Sequence, residues 1–137
     1  RGGDPREAFE VGTARLLAGD AAGAARLLRR AVDALPDHEP AWFNVGIAAF
    51  RLARWEDARA AFERAGALRP GRFETFLHLG ESLIELERYG DAISALGRAA
   101  ALRPAERAAH VSLAECYEKT GRADDAKKEL ELAAPAP

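Results

Sequence analysis

A 34-residue internal period constrains this chain more than any other feature. Pro36, Pro70 and Pro104 are spaced by that step, as are Ala24, Ala58, Ala92 and Ala126, and Ala31, Ala65, Ala99 and Ala133. Gly12, Gly46 and Gly80 keep it too, with Ala114 in the fourth place, and Val11, Val45, Leu79 and Leu113 precede them. Leu28, Phe62, Leu96 and Leu130 form a further column. So many columns in phase mark a tandem array, in which one unit is too small to bury its own apolar face and closes it against a neighbour.

Within a unit the apolar spacing is helical. In the second copy Trp42, Val45, Gly46 and Ala49 recur at i, i+3, i+4 and i+7, one stripe of a helix. Ala58, Phe62 and Ala65 make a second stripe after a break near Ala53–Arg54. Pro70 with Gly71 ends it, because proline lacks the donor that continuation needs. Alanine, the best helix former, fills 32 of the 137 positions, and strand-like alternation is missing. The expected fold is all-α, an α-α superhelix (solenoid) of four antiparallel helix pairs. The spacing predicts helices over 5–18, 21–34, 39–53, 55–68, 73–87, 89–102, 107–120 and 123–133, with Gly19, Gly90 and Gly121 at or near the turns within pairs. Gly46, Gly80 and the small column Ala14, Ala48, Ser82, Cys116 are expected where helices approach closely. Trp42, Phe76 and Tyr117 are expected to fill the gaps between them. Leucine at Ala58 or Ala92 should then overpack the contact at a cost of about 1–3 kcal/mol.

Composition excludes several roles. Twenty Lys and Arg against 22 Asp and Glu leave a net charge of −2 and no broad basic field for a phosphate backbone. No apolar run approaches the roughly 18–20 residues of a membrane span. A single cysteine rules out an internal disulfide framework. The start at Arg1 and the lack of Met suggest a piece of something longer, with no visible targeting segment. Residues 1–4 are expected to be a disordered leader and 135–137 a tail. A cytoplasmic location is expected, with the periplasm left open. His38, His78 and His110 have no Cys or His at metal-ligand spacing, and the glycines form no phosphate loop. The expectation is no metal, no cofactor and no catalysis. His110 reads as a packing residue of the large-aromatic column, Cys116 as a buried structural thiol and His38 as a connector residue.

The pattern Trp42-x-x-Val45-Gly46…Ala58…Phe62…Ala65…Pro70 resembles the tetratricopeptide repeat, W-x₂-L-G-x₂-Y…A-x₃-F…P at 34 residues. The third copy follows with Phe76, Leu79, Gly80, Leu83, Ala92, Leu96, Ala99 and Pro104. The fourth has His110, Leu113, Ala114, Tyr117, Ala126, Leu130 and Ala133. The first departs, with Ala8 for the large aromatic and Arg15 for the tyrosine. The resemblance spans 5–134 as one domain, with repeats 5–38, 39–72, 73–106 and 107–134. The fourth copy holds all three lysines and a polar last helix, and the family's separate capping helix is missing. Either that helix closes the array or a cap was removed. A related 35-residue RNA-binding family is set aside on period and charge.

In this family the first helix of each pair lines a concave groove that holds a partner's peptide or helix. The resemblance places Phe9, Thr13 and Leu16 there from the first copy, and Phe43, Asn44, Ile47 and Arg51 from the second. The third supplies Leu77, His78, Glu81 and Glu85, and the fourth Val111, Ser112, Glu115 and Glu118. This face is apolar in the N-terminal half and acidic in the C-terminal half. Residues 39–72 carry six Arg and four acidic residues, net +2, and 73–106 three Arg and six acidic residues, net −3. The implied function is a protein-interaction scaffold or adaptor whose protein or peptide partner has an apolar anchor beside Lys or Arg. Nucleic acid and membrane insertion are not expected, and a homo-oligomer is left open. The alternatives are self-assembly and a regulatory module of a larger enzyme. Binding of an acidic chaperone tail is disfavoured. Phe9, Thr13, Glu74 and His78 stand where such members carry Lys, Asn, Lys and Arg, and Asn44 alone fits.

Overall fold

The computed structural model describes residues 3–135. They form eight helices and no strand: α1 (Pro5–Leu17), α2 (Ala21–Ala34), α3 (Glu39–Arg51), α4 (Trp55–Leu68), α5 (Phe73–Glu85), α6 (Tyr89–Leu102), α7 (Arg107–Lys119) and α8 (Ala123–Ala133). The starts of both helices repeat at the 34-residue step. The fold class is therefore the expected all-α helix-pair solenoid. Of the expected leader and tail, Arg1, Gly2, Ala136 and Pro137 lie outside the described residues. Asp4 is the N-cap of α1, its carboxylate accepting from the Arg6 amide at 2.9 Å.

The first helix of every pair stops one or two residues sooner than its apolar pattern suggests. The chain turns into the left-handed region at Gly19, Ala53, Glu87 and Gly121, one column at the same 34-residue step. At each site the next amide donates back across the last turn, Asp20 to Arg15 O, Arg54 to Ala49 O, Arg88 to Leu83 O and Arg122 to Tyr117 O, at 2.7–2.9 Å. This closure satisfies carbonyls that the helix end would otherwise leave open. Glycine takes that conformation without penalty, whereas Ala53 and Glu87 hold it with a Cβ. Gly90, expected near this turn, lies inside α6, and Glu87 is the turn residue.

The chain divides into two compact units, Arg1–Pro70 and Gly71–Pro137. In the first, Ala24, Leu28, Ala31, Ala41, Ala48, Ala58, Phe62 and Ala65 are fully buried. The glycine column explains how these helices approach. A Cβ on Gly12 would lie 2.9 Å from Leu28 Cγ, and one on Gly46 would lie 2.6 Å from Phe62 Cε1. Bare backbone on the first helix is thus the socket for the large residue of the second. Ala14 corrects the expectation for the small column, since it is exposed while Ala48 is fully buried. No helix among the described residues of this unit lies over that side of α1.

The second unit repeats the arrangement. Gly80 receives Leu96, whose Cδ2 would stand 2.5 Å from an added Cβ, and Leu96 is fully buried. Ser82 and Cys116 of the small column are also fully buried, and burial pushes the Cys116 thiol up to about 11, so it stays protonated. In the last pair Ala114 replaces glycine, and its partner Leu130 is 46% exposed.

Candidate functional site

An α-helix turns about 100° per residue, so positions i, i+1, i+4 and i+8 share one side. On α3 these are Phe43, Asn44, Ile47 and Arg51, and on α5 Leu77, His78, Glu81 and Glu85. Phe9 and Thr13 on α1, and Val111, Ser112, Glu115 and Glu118 on α7, occupy the matching faces.

In the first unit this face is apolar and internally tied. Phe9 and Ile47 are half-buried against the core, and the Phe9 ring lies 4.7 Å from that of His38. Phe43 meets Phe62 edge-on at 5.8 Å. The Asn44 amide donates to Thr13 Oγ1 at 3.0 Å, and Arg51 Nη1 donates to the Leu16 carbonyl at 2.8 Å. Both bonds join α3 to α1, the first at a hydroxyl and the second at a carbonyl near the end of α1. Asn44 and Arg51 are therefore connectors as well as surface. Leu16, expected in the groove, is buried in the core of this unit instead. Its stripe on α1 is that of Ala8 and Gly12, not that of Phe9 and Thr13.

In the second unit the Ile47 column turns acidic, at Glu81 and Glu115, and Glu85 stands in the Arg51 column, while the Phe43 column stays apolar at Leu77 and Val111. His78 Nδ1 lies 2.9 Å from Glu81 Oε1, one turn away, and both residues are half-buried. Glu85, Glu115 and Glu118 are exposed and form no ion pair among the described residues. Leu77 is half-buried beside them, Ser112 is half-buried, and Val111 is exposed. Free carboxylates on one side of α5 and α7 create a negative potential that favours a cationic partner.

His110 is buried as expected of a packing residue, yet it is fully engaged in polar contacts. Its Nε2 donates to the Pro104 carbonyl at 2.7 Å, and its Nδ1 faces Glu129 Oε1 at 2.8 Å. Trp42, one column-mate, donates its indole N–H to Pro36 O at 2.8 Å, the same link to the connector proline. Burial pulls the His110 pKa down, but the Glu129 hydrogen bond, the Pro104 bond and the Glu129 charge together raise it above the usual imidazole value. The column position foretold the burial; the partner 19 residues away on α8 had no signature in the spacing.

These features define a class before any comparison: a tandem helix-pair scaffold whose chemistry lies on exposed helix faces. The tetratricopeptide repeat profile matches residues 15–77 and 83–136, and the chain belongs to that family. No curated protein matches. Among solved structures, MamA MSR-1 C2 is 25% identical with a TM-score of 0.88, over 95% of this chain and 75% of that one. MamA AMB-1 P212121 is 26% identical with a TM-score of 0.90, over 95% and 71%. Another MamA crystal structure is 22% identical with a TM-score of 0.91, over 98% and 80%, and shows the fold alone. Because 238 solved chains match, likeness to any one of them fixes architecture and leaves the partner open. The family and fold are those of a protein-interaction scaffold. No described helix is long and apolar enough to cross a membrane.

Proposed function

We propose that this chain is an adaptor, a single interaction domain of four repeats acting in the cytoplasm, that captures a partner's peptide or helix on the first-helix faces of its repeats. One observation carries the reading: the first-helix face is apolar in the first unit, whereas in the second it carries the exposed carboxylates Glu85, Glu115 and Glu118, none of them in an ion pair among the described residues. Phe9, Phe43 and Ile47 offer an apolar anchor site. Glu85, Glu115 and Glu118 select Lys or Arg. Burying one anchor side chain contributes about 1.5–3 kcal/mol before ordering costs.

The test is peptide-display selection on the wild type, on Ile47→Arg and on Glu85→Arg/Glu115→Arg, each checked for helicity by circular dichroism. Enriched peptides should carry both an apolar residue and Lys or Arg. The first variant should lose the apolar preference and the second the basic one. Selections unchanged by either variant would refute the reading. Self-association is the second reading, favoured by the exposure of Leu17 (82%) and Leu132 (62%). Light scattering that reports a monomer at every concentration would sink it.

A further inference from the structure

A cleft of about 470 Å³ opens on the first unit, away from the face just described. Ala25, Arg26, Arg29 and Arg30 of α2, Val45 and Ala49 of α3, and Arg54 and Asp57 at the start of α4 line it. Val45 and Ala49 point about 165° away from the centre of the Phe43, Asn44, Ile47, Arg51 set around α3. The floor is apolar, while the rim holds four guanidinium groups and one carboxylate. All four arginines are exposed, and none forms an ion pair among the described residues. Arg29 lies 6.0 Å from the Trp42 ring.

The repeat itself does not call for Arg26 or Arg29, whereas Arg30 and Arg54 have arginine column-mates, Arg64 and Arg98 for the one and Arg88 and Arg122 for the other. Ala60, Ser94 and Lys128 occupy the Arg26 column, and Glu63, Gly97 and Glu131 the Arg29 column. Arg88 and Arg122, column-mates of Arg54, pair with Asp91 and Asp125 three residues on, at 2.8 and 2.9 Å. Arg54 has Asp57 at that spacing, yet the two form no such pair, and both line the cleft. Exposed guanidinium groups without carboxylates leave their fork-shaped donors unused.

We propose that this cleft is a second docking site, for an acidic protein segment that inserts an apolar side chain between its Asp or Glu residues. The arginine rim supplies bidentate partners for carboxylates, and the Ala25, Val45, Ala49 floor receives the side chain. The apolar floor, the rim Asp57 and the chain's net charge of −2 favour a peptide over a nucleic acid or an anionic membrane. The partner chemistry is opposite to that selected by Glu85, Glu115 and Glu118, so the two sites discriminate between partners.

Fluorescence anisotropy on the whole chain tests this, with a labelled peptide of repeating pattern Glu-Glu-Leu as probe. Saturable binding should weaken with added salt and fall by about tenfold or more in Arg26→Glu/Arg54→Glu, with its circular dichroism unchanged. Arg107→Glu, an exposed arginine outside both proposed sites, should leave it intact. A Glu-Glu-Ser peptide should bind more weakly. No saturable binding, equal binding by Arg26→Glu/Arg54→Glu, or indifference to Leu against Ser would overturn the proposal. So would preferential binding of single-stranded DNA or phosphatidylserine vesicles. A failed selection on the Ile47 and Glu85 face leaves these outcomes unaffected, so the two readings fail separately.

Discussion

Replacing Gly46 by alanine sets two physical effects against each other, and the structure decides between them. Alanine in a helix interior is favoured over glycine by about 1 kcal/mol. The added Cβ, however, would lie 2.6 Å from Cε1 and 2.7 Å from Cδ1 and Cζ of Phe62. Carbon atoms sit comfortably at roughly 3.5–4.0 Å, so α3 and α4 must part by about 1 Å. The ring has no slack, because Phe62 is fully buried and Phe43 abuts it at 5.8 Å. Overpacking of this kind costs about 1–3 kcal/mol, and a ring without slack places Gly46 in the upper part, about 2–3 kcal/mol, so after the propensity gain the expected net loss is about 1–2 kcal/mol. Urea unfolding followed by tryptophan fluorescence reads the effect locally, since Trp42 and Trp55 both lie in the first unit. The companion Phe62→Leu should cost less in the Gly46→Ala background than alone, with a coupling of about 0.5–3 kcal/mol. A Gly46→Ala protein as stable as the wild type, with additive double-mutant energies, would refute close approach as the reason for this glycine.

Two further outcomes are expected. His110 has a raised pKa in the folded chain, so its stabilisation is complete below the ordinary imidazole value near 6.5 and is lost as pH rises through the higher folded value. Thermal melts from pH 6 to 9 should therefore show a wild-type decline that His110→Phe, carrying the Phe76 side chain of the same column, flattens; equal slopes would contradict it. Glu87→Gly removes a side chain from the left-handed turn and should raise stability by about 0.5–1 kcal/mol in urea titration, less than the full strain because glycine also loosens the unfolded chain. A lower midpoint would show that Glu87 is held there by something other than turn geometry.

Much of this was legible in the residues because a repeat writes each structural demand several times. Column identity located the helix pairs, the glycine sockets at Gly12, Gly46 and Gly80, and the burial of His110 and Cys116. Helix ends were less legible. Apolar periodicity runs on past Arg51 through Leu52, while the left-handed turn at Ala53 stops the helix, and alanine announces no such turn. Gly90 misled for the same reason, being a glycine without a turn. On the candidate site, side-chain type and face were readable; Asn44–Thr13 and Arg51–Leu16, which tie two repeats together, were not.

The sequence by itself determined the period, the all-helical class and the family, since these depend on spacing along one chain and the 3.6-residue turn. Tertiary structure alone decided which polar groups are already spent on neighbours. Arg51 holds a carbonyl and Glu129 holds His110, whereas Arg54 and Glu118 stay unpaired. That distinction rests on distances between residues as much as 35 positions apart in sequence, which exist only once the helices have packed.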